Sequence, residues 1–192
     1  GVLWFGDEAR LPFVLPGATA VEVPALALAV AVLRRLLPEL PLRLEPVPRP
    51  RLPGRFEVRR EADGELLVLD GAHTEQSLRA VAEELVRREP GCRPVVLFAC
   101  AAGKRWREGL SALLPIADGF VVTELSGTPG ENPAAIAAWL AANGARSEVA
   151  TDVAAGLRLL RSRPGPRLVV GSFYLAGSVR RLLDHGPAPP VR

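Results

Sequence analysis

The sequence is poor in aromatic residues and contains almost no lysine. Aromatic residues make up 5% of its 192 positions, which argues against a surface that stacks the bases of RNA or single-stranded DNA. Of the 24 basic residues, 23 are arginine and one is Lys104. The arginines are interleaved with acidic residues, so the net charge of +3 forms no basic stripe, and we expect no nucleic-acid partner.

Cysteine is also scarce, and the chain has no long hydrophobic run. Cys92 and Cys100 form no CxxC or Cys/His pattern, which argues against a zinc site and against a disulfide scaffold. Two free thiols are typical of a reducing compartment. The longest apolar run, Ala25–Leu33, is too short to span a bilayer, and the N-terminus lacks the charged region of a signal peptide. These features predict a cytoplasmic protein without membrane contact.

Three glycine motifs of known chemistry are missing. The phosphate loop GxxxxGK[ST] is absent, because Gly103 and Lys104 are followed by Arg105 and lack the upstream glycine. Neither GxGxxG nor GxSxG occurs. The chain by itself therefore cannot bind and cleave a nucleoside triphosphate by the P-loop route.

A proline-rich segment divides the chain unequally. Six prolines fall between Pro38 and Pro53, a composition that excludes a helix and predicts a linker. The residues before it contain two short apolar strands, Val2–Phe5 and Pro12–Leu15, and one helix, Pro24–Leu37. Two short strands and one helix bury too little apolar surface for an independent core. The chain also begins with glycine, so we expect residues 1–46 to be the tail of a preceding domain in a longer protein.

After the linker, the pattern is that of an α/β domain. The pair Asp63-Gly64 predicts a hairpin between Arg55–Arg60 and Glu65–Leu69. Later strands are apolar at every position, which indicates burial on both faces, as in a parallel sheet. Strands are expected at Leu66–Leu69, Pro94–Ala99, Gly119–Thr123, Ser147–Ala150 and Arg167–Val170. Helices are expected at Thr74–Arg88, Arg105–Leu114, Pro133–Ala142, Val153–Arg161 and Leu175–Leu183. The alternation predicts a Rossmann-like, mostly parallel sheet with helices on both faces.

Polar residues gather where the predicted strands end, which is where ligands bind in such sheets. Asp70 closes a buried strand, where its carboxylate can accept hydrogen bonds from a pair of ribose hydroxyls; alternatively, it caps the following helix. His73 stands at the mouth of that helix, where it contacts phosphate, acts as a switch or has no special role.

Positive charge and free backbone N–H groups occur at the same predicted edge. Lys104, the one lysine, lies in a glycine-containing loop and reaches phosphate or carboxylate as a point charge, or is an ordinary surface residue. The Gly171-Ser172 turn opens a helix and either holds an anion or is an ordinary turn. Arg55 either reaches a nucleotide or is solvated.

Three motifs in order resemble a known family. Residues 53–58 read PGRFEV, residues 69–73 read LDGAH and residues 171–177 read GSFYLAG. Together they resemble the C-terminal domain of the Mur ligase superfamily, and most of all that of folylpolyglutamate synthase / dihydrofolate synthase. The resemblance covers about residues 47–186, which assigns residues 47–192 to this domain. Residues 1–46 resemble the end of the family's central ATPase domain.

The resemblance implies an ATP-dependent ligase that activates a carboxylate as an acyl phosphate, which the amino group of glutamate attacks. It implies folate or dihydropteroate as the acid, and a monomeric full-length protein. The phosphate loop and the magnesium ligands belong to a part outside this chain, so the fragment alone is expected to be inactive. Arg55, Asp70 and His73 match nucleotide-binding positions, and Ser172, Tyr174 and the retained Lys104 match the substrate side. No catalytic residue and no metal ligand is assigned.

The sequence departs from the family pattern at two of these loops. Thr74-Glu75 stands where the family has Asn-Pro, and Gly103-Lys104-Arg105 stands where it has Asp-Lys-Asp. Two alternatives therefore remain beside the folate-type ligase: a non-catalytic Mur-like binding module, and a Mur-type ligase acting on another acid.

Overall fold

The computed structural model describes residues 2–5, 9–12, 22–42 and 52–185. The chain divides into two compact units, Gly1–Arg51 and Leu52–Arg192. The predicted boundary at residue 46 falls outside the described residues, so the assignment of residues 1–46 to a severed domain stays a prediction. No helix of the described residues is long and apolar enough to cross a membrane.

The described residues of the first unit form a two-stranded antiparallel sheet and one helix. Strand β1 (Val2–Phe5) pairs with β2 (Ala9–Pro12), and α1 spans Glu22–Leu36. The prediction of a second strand at Pro12–Leu15 is wrong in its start, and residues 13–15 lie outside the described residues. Helix α1 starts two residues earlier than predicted. Pro24 then lies in the first turn, where its missing N–H has no partner in the helix to lose.

The second unit is built on a six-stranded sheet of order β3-β4-β8-β5-β6-β7. Only β3 is antiparallel to its neighbour, which confirms the predicted fold class. The strands are β3 (Glu57–Arg60), β4 (Leu66–Leu69), β5 (Val95–Phe98), β6 (Gly119–Val122), β7 (Ser147–Val149) and β8 (Arg167–Val170). The helices are α2 (Glu75–Arg88), α3 (Trp106–Leu113), α4 (Pro133–Ala142), α5 (Val153–Arg161) and α6 (Phe173–His185).

The hairpin's first strand begins at Glu57, two residues later than predicted. Gly54 and Phe56 both have positive φ, of 66° and 44°, so the chain turns there before it enters the sheet. Phe56 is the one non-glycine with positive φ among the described residues. Such a conformation persists only where surrounding contacts impose it, and those contacts belong to the candidate site.

The core lies on both faces of the sheet, as the apolar strands predict. In β5, Val96 and Phe98 belong to a cluster with buried residues of α2, α3 and α4. Val95 and Leu97 belong to a second cluster with buried residues of α5 and α6. Because successive side chains of a strand point to opposite faces, a strand that is apolar throughout fills both clusters at once.

The topology predicts a ligand crevice at the carboxyl ends of β4 and β8. These strands are parallel neighbours. The chain leaves β4 for α2, which packs on one face of the sheet, and leaves β8 for α6, which packs on the other. Where adjacent strands of an α/β sheet send their connections to opposite faces, the carboxyl ends form the usual ligand crevice.

Candidate functional site

Three loops meet at the carboxyl ends of β4 and β8. They are the turn before β3, the loop between β4 and α2, and the turn between β8 and α6. The Gly71 N–H donates to the Gly54 carbonyl oxygen at 2.8 Å, and the Gly171 N–H donates to the Ala72 carbonyl oxygen at 2.7 Å. The three sequence motifs, far apart in the chain, are therefore tied together by their own backbone.

Asp70 is the buried acid at the centre of these loops, with 7% of its surface exposed. Its Oδ2 accepts from the Phe56 N–H at 2.6 Å, and its Oδ1 accepts from the Ala72 N–H at 2.7 Å. The carboxylate therefore holds the N–H of the one described non-glycine residue with positive φ. Since a carboxylate can accept about four hydrogen bonds and the backbone supplies two, acceptor capacity remains for a ligand.

Burial raises the pKa of Asp70, although the N–H groups of Phe56 and Ala72 and the charge of Arg55 act in the opposite direction. A carboxyl whose pKa is raised on folding makes the fold less stable once the pH passes through that pKa. A ligand that donates hydrogen bonds to the carboxylate relieves this loss. Carboxyl groups whose pKa is shifted and that lie in a crevice are typical of functional sites.

Asp70 does not cap helix α2, so that alternative is wrong. The cap is Thr74, whose Oγ1 accepts from the Ser77 N–H at 3.2 Å, while the Ser77 Oγ accepts from the Thr74 N–H at 3.0 Å. This reciprocal pair is a capping box. Asp70 is left to its contacts with the turns.

Replacing Thr74 with alanine is expected to lower the free energy of unfolding by about 1 kcal/mol, because an orphan N–H of the helix loses its partner. Urea unfolding followed by circular dichroism measures this. The matched control is Thr151→Ala, an exposed threonine just before the cap of α5, for which a change within about 0.5 kcal/mol is expected. Equal stability of the two variants would contradict the capping assignment.

Arg55 and Phe173 form a stack at the mouth of the crevice. The Arg55 guanidinium carbon lies 4.3 Å from the centroid of the Phe173 ring, and 40% of the Phe173 surface is exposed. A Cβ on Gly71 would lie 2.2 Å from this ring, so only glycine leaves room for it. Phe173 was not among the site residues predicted from the sequence, although an aromatic residue inside the GSFYLAG motif was the available signal.

His73 is held in one tautomer by the backbone. Its Nδ1 lies 2.9 Å from the Gly71 carbonyl oxygen, and a carbonyl can only accept, so Nδ1 carries the hydrogen. The other ring nitrogen, Nε2, is then an acceptor in the neutral ring and a donor when it is protonated. The ring also contacts Phe173 edge-on, with centroids 6.4 Å apart.

Ser172 and Tyr174 lie at the start of helix α6. The Ser172 Oγ accepts from the Tyr174 N–H at 3.0 Å, which satisfies one of the free N–H groups of the helix. Ser172 is buried, and Tyr174 is 59% exposed. The structure therefore places Ser172 in the three-loop cluster and leaves the Tyr174 side chain on the surface beside it.

Lys104 lies on a different loop, the one after β5. That strand is the other neighbour of β8, so Lys104 follows the next carboxyl end along the same edge, and it is exposed. Burial and the charge of Glu131 raise the pKa of the nearby Cys100 thiol to about 12, although Lys104 acts to lower it. Among the described residues, no group of three or more His, Cys, Asp or Glu side chains could hold a metal.

The family model for the Mur ligase glutamate ligase domain matches residues 54–172. The chain belongs to the Mur ligase family. The matched residues of this Mur ligase chain begin in the Gly54 turn and end at Ser172, so they include Arg55, Asp70 and His73. No curated protein has a matching sequence.

Solved structures share the fold of this Mur ligase domain. A Mycobacterium tuberculosis folylpolyglutamate synthase complexed with ADP and AMPPCP is 23% identical, with a TM-score of 0.75 over 95% of this chain and 44% of that one. A Yersinia pestis bifunctional folylpolyglutamate synthase/dihydrofolate synthase is 26% identical, with a TM-score of 0.69 over 92% and 42%. Escherichia coli FolC, in complex with DHPP and ADP, is 20% identical, with a TM-score of 0.75 over 92% and 42%. The chain spans less than half the length of these structures.

Proposed function

We propose that this chain is the C-terminal part of an ATP-dependent acid–amino-acid ligase of the folylpolyglutamate synthase type. The observation that carries the proposal is the crevice between β4 and β8, which gathers a buried carboxylate, a guanidinium and an imidazole. The complete protein would join glutamate to folate or dihydropteroate through an acyl phosphate. Solved relatives bound to ADP support a nucleotide in this family.

The groups in the crevice suit the two ends of a nucleotide. Asp70 keeps acceptor capacity for the two hydroxyls of a ribose, which are donors. Arg55 presents a planar guanidinium, whose N–H groups match the oxygens of a phosphate. His73 offers Nε2 on the same side. We assign these three residues to ATP binding.

The neighbouring residues suit an amino-acid substrate. Glutamate carries two carboxylates, which require cationic or hydroxyl partners. Lys104 supplies an ammonium from the loop after β5, and Ser172 and Tyr174 supply hydroxyl groups at the start of α6. We assign these three residues to the substrate side of the cleft.

The remaining parts of the reaction are assigned outside this chain. The sequence contains no phosphate loop, and the resemblance to folylpolyglutamate synthases implies that the phosphate loop and the magnesium ligands lie elsewhere in the complete protein. We propose that the complete protein is a cytoplasmic monomer that binds small molecules and no nucleic acid, and that this chain alone is inactive.

The nucleotide assignment predicts discrimination at the ribose. The complete protein that the gene encodes is expected to bind ATP about 10- to 150-fold more tightly than 2′,3′-dideoxy-ATP, because hydrogen bonds to the Asp70 carboxylate contribute about 1.5–3 kcal/mol. Asp70→Asn is expected to remove most of this difference. Isothermal titration calorimetry with both nucleotides measures it.

The control for this experiment is Asp118→Asn, an exposed acid just before β6, at the opposite end of the sheet. This variant is expected to prefer ATP over 2′,3′-dideoxy-ATP by the same factor as the wild type. Equal affinity of the wild type for the two nucleotides would refute the role of Asp70. ATP hydrolysis that depends on glutamate and on folate or dihydropteroate tests the ligase itself. Binding without hydrolysis supports the non-catalytic module, and hydrolysis with a different acid supports another Mur-type ligase.

A further inference from the structure

The Arg55 side chain stacks on Phe173, and its charge also acts on the Asp70 carboxylate. Within the described residues its guanidinium makes no hydrogen bond or ion pair, and it lies 4.3 Å from the centroid of the Phe173 ring. Most of its N–H groups are therefore left for a ligand. An exposed arginine has many rotamers, and the stack on Phe173 restricts it to those that lie over the ring.

The Phe173 ring is itself fixed by the loops around it. It occupies the space beside Gly71, where a Cβ would be 2.2 Å from the ring, and it passes 3.7 Å from the position of a Cβ on Gly54. The edge of the ring meets His73 at a centroid distance of 6.4 Å. One aromatic side chain thus contacts all three loops of the crevice.

We infer that Phe173 is a positioning residue, which holds the Arg55 guanidinium where it meets the phosphates of the nucleotide. The inference rests on the proposed function, since it requires that Arg55 contacts nucleotide. Phe173 acts through Arg55 and has no contact of its own with the phosphates. Its ring reduces the number of Arg55 conformations that must be given up when the nucleotide binds.

A double-mutant cycle tests this inference in the complete protein, with AMPPCP as the ligand. Phe173→Leu keeps an apolar side chain over Gly71 but removes the ring face, and it is expected to weaken AMPPCP binding about 2- to 5-fold. Phe173→Tyr keeps the ring and is expected to bind as the wild type does. In an Arg55→Ala background, Phe173→Leu is expected to cause no further loss.

Arg107→Ala is the matched control, because Arg107 stacks on Trp106 at the same distance of 4.3 Å but lies outside the three loops. It is expected to leave AMPPCP affinity unchanged. The inference is overturned if Phe173→Leu lowers AMPPCP affinity equally in the wild type and in the Arg55→Ala variant. The ring would then act through the fold or touch the ligand directly. If the wild type does not bind AMPPCP, the proposed function itself is overturned.

Discussion

Replacing Arg167 with alanine is expected to lower the free energy of unfolding by about 3–5 kcal/mol, the usual loss when one member of a buried ion pair is removed. Arg167 opens β8, and its side chain is 2% exposed. Its Nη1 donates to the Glu61 Oε2 at 2.5 Å, and its Nη2 donates to the Asp63 Oδ2 at 2.7 Å. In the variant, the carboxylate of Glu61, which is 8% exposed, loses its buried cationic partner and gains little contact with water in return.

Arg167 stays charged at every pH at which the protein would be studied, so the expected loss of stability does not depend on its protonation. Burial lowers its pKa, but the hydrogen bonds and charges of Asp63 and Glu61 outweigh burial and raise it above the ordinary value. Further hydrogen bonds run from Nη2 to the carbonyl oxygens of Arg161 at 3.1 Å and Arg163 at 3.4 Å. The cation thus joins the β3–β4 hairpin to the segment between α5 and β8.

Urea unfolding of the chain measures the loss, and Arg161→Ala serves as the control. Arg161 also pairs with Glu61, but it is 44% exposed, so a loss of about 0–1 kcal/mol is expected. The comparison separates the effect of burial from that of the ion pair as such. A loss for Arg167→Ala no larger than that for Arg161→Ala would contradict the assignment of a buried structural ion pair.

The Arg167 network shows which part of the fold the sequence could not predict. The position of β8 follows from its apolar residues and was predicted with its observed ends. Its partners in the sheet do not follow, because β8 inserts between β4 and β5, although both precede it by many residues. The contact between Arg167 and Glu61 depends on this insertion, and hydrophobic periodicity carries no information about strand order.

The candidate site was predictable to the extent that its residues stand in motifs. Arg55, Asp70, His73 and Ser172 were named from the sequence, and the structure brings them to one crevice. The crowding of the backbone was not predictable: Phe173 lies before the predicted start of the last helix, and only the structure shows Gly71 beneath its ring. The sequence left open whether Asp70 caps α2, because Asp70 and Thr74 are both good cap residues and only the geometry distinguishes them.

Gly171 is a position at which one added methyl group is expected to have a large effect. Its φ is 110°, a conformation that costs a residue with a Cβ about 1–3 kcal/mol. A Cβ there would lie 2.5 Å from the Ala99 carbonyl oxygen and 2.7 Å from the Phe98 ring. The Ala99 oxygen belongs to the backbone directly after β5, so it cannot rotate away as a side chain could.

We therefore expect Gly171→Ala to lower the free energy of unfolding by at least about 2 kcal/mol, since strain and overpacking act together. It should also displace Ser172 and Phe173, which follow it directly, and so weaken AMPPCP binding by the complete protein. Urea unfolding and AMPPCP titration measure the two effects separately.

Gly177→Ala, in the helix α6 that follows Gly171, is the control. Gly177 lies within α6, has no positive φ, and a Cβ there meets nothing within 4 Å. Alanine in a helix interior is favoured over glycine, so stability is expected to rise by about 0.5–1 kcal/mol. Opposite signs for two Gly→Ala changes six residues apart would show that the first glycine is required by its close contacts. A Gly171→Ala protein as stable as the wild type would instead mean that the end of β5 can yield, and the crevice would then not be the rigid site that the three loops form.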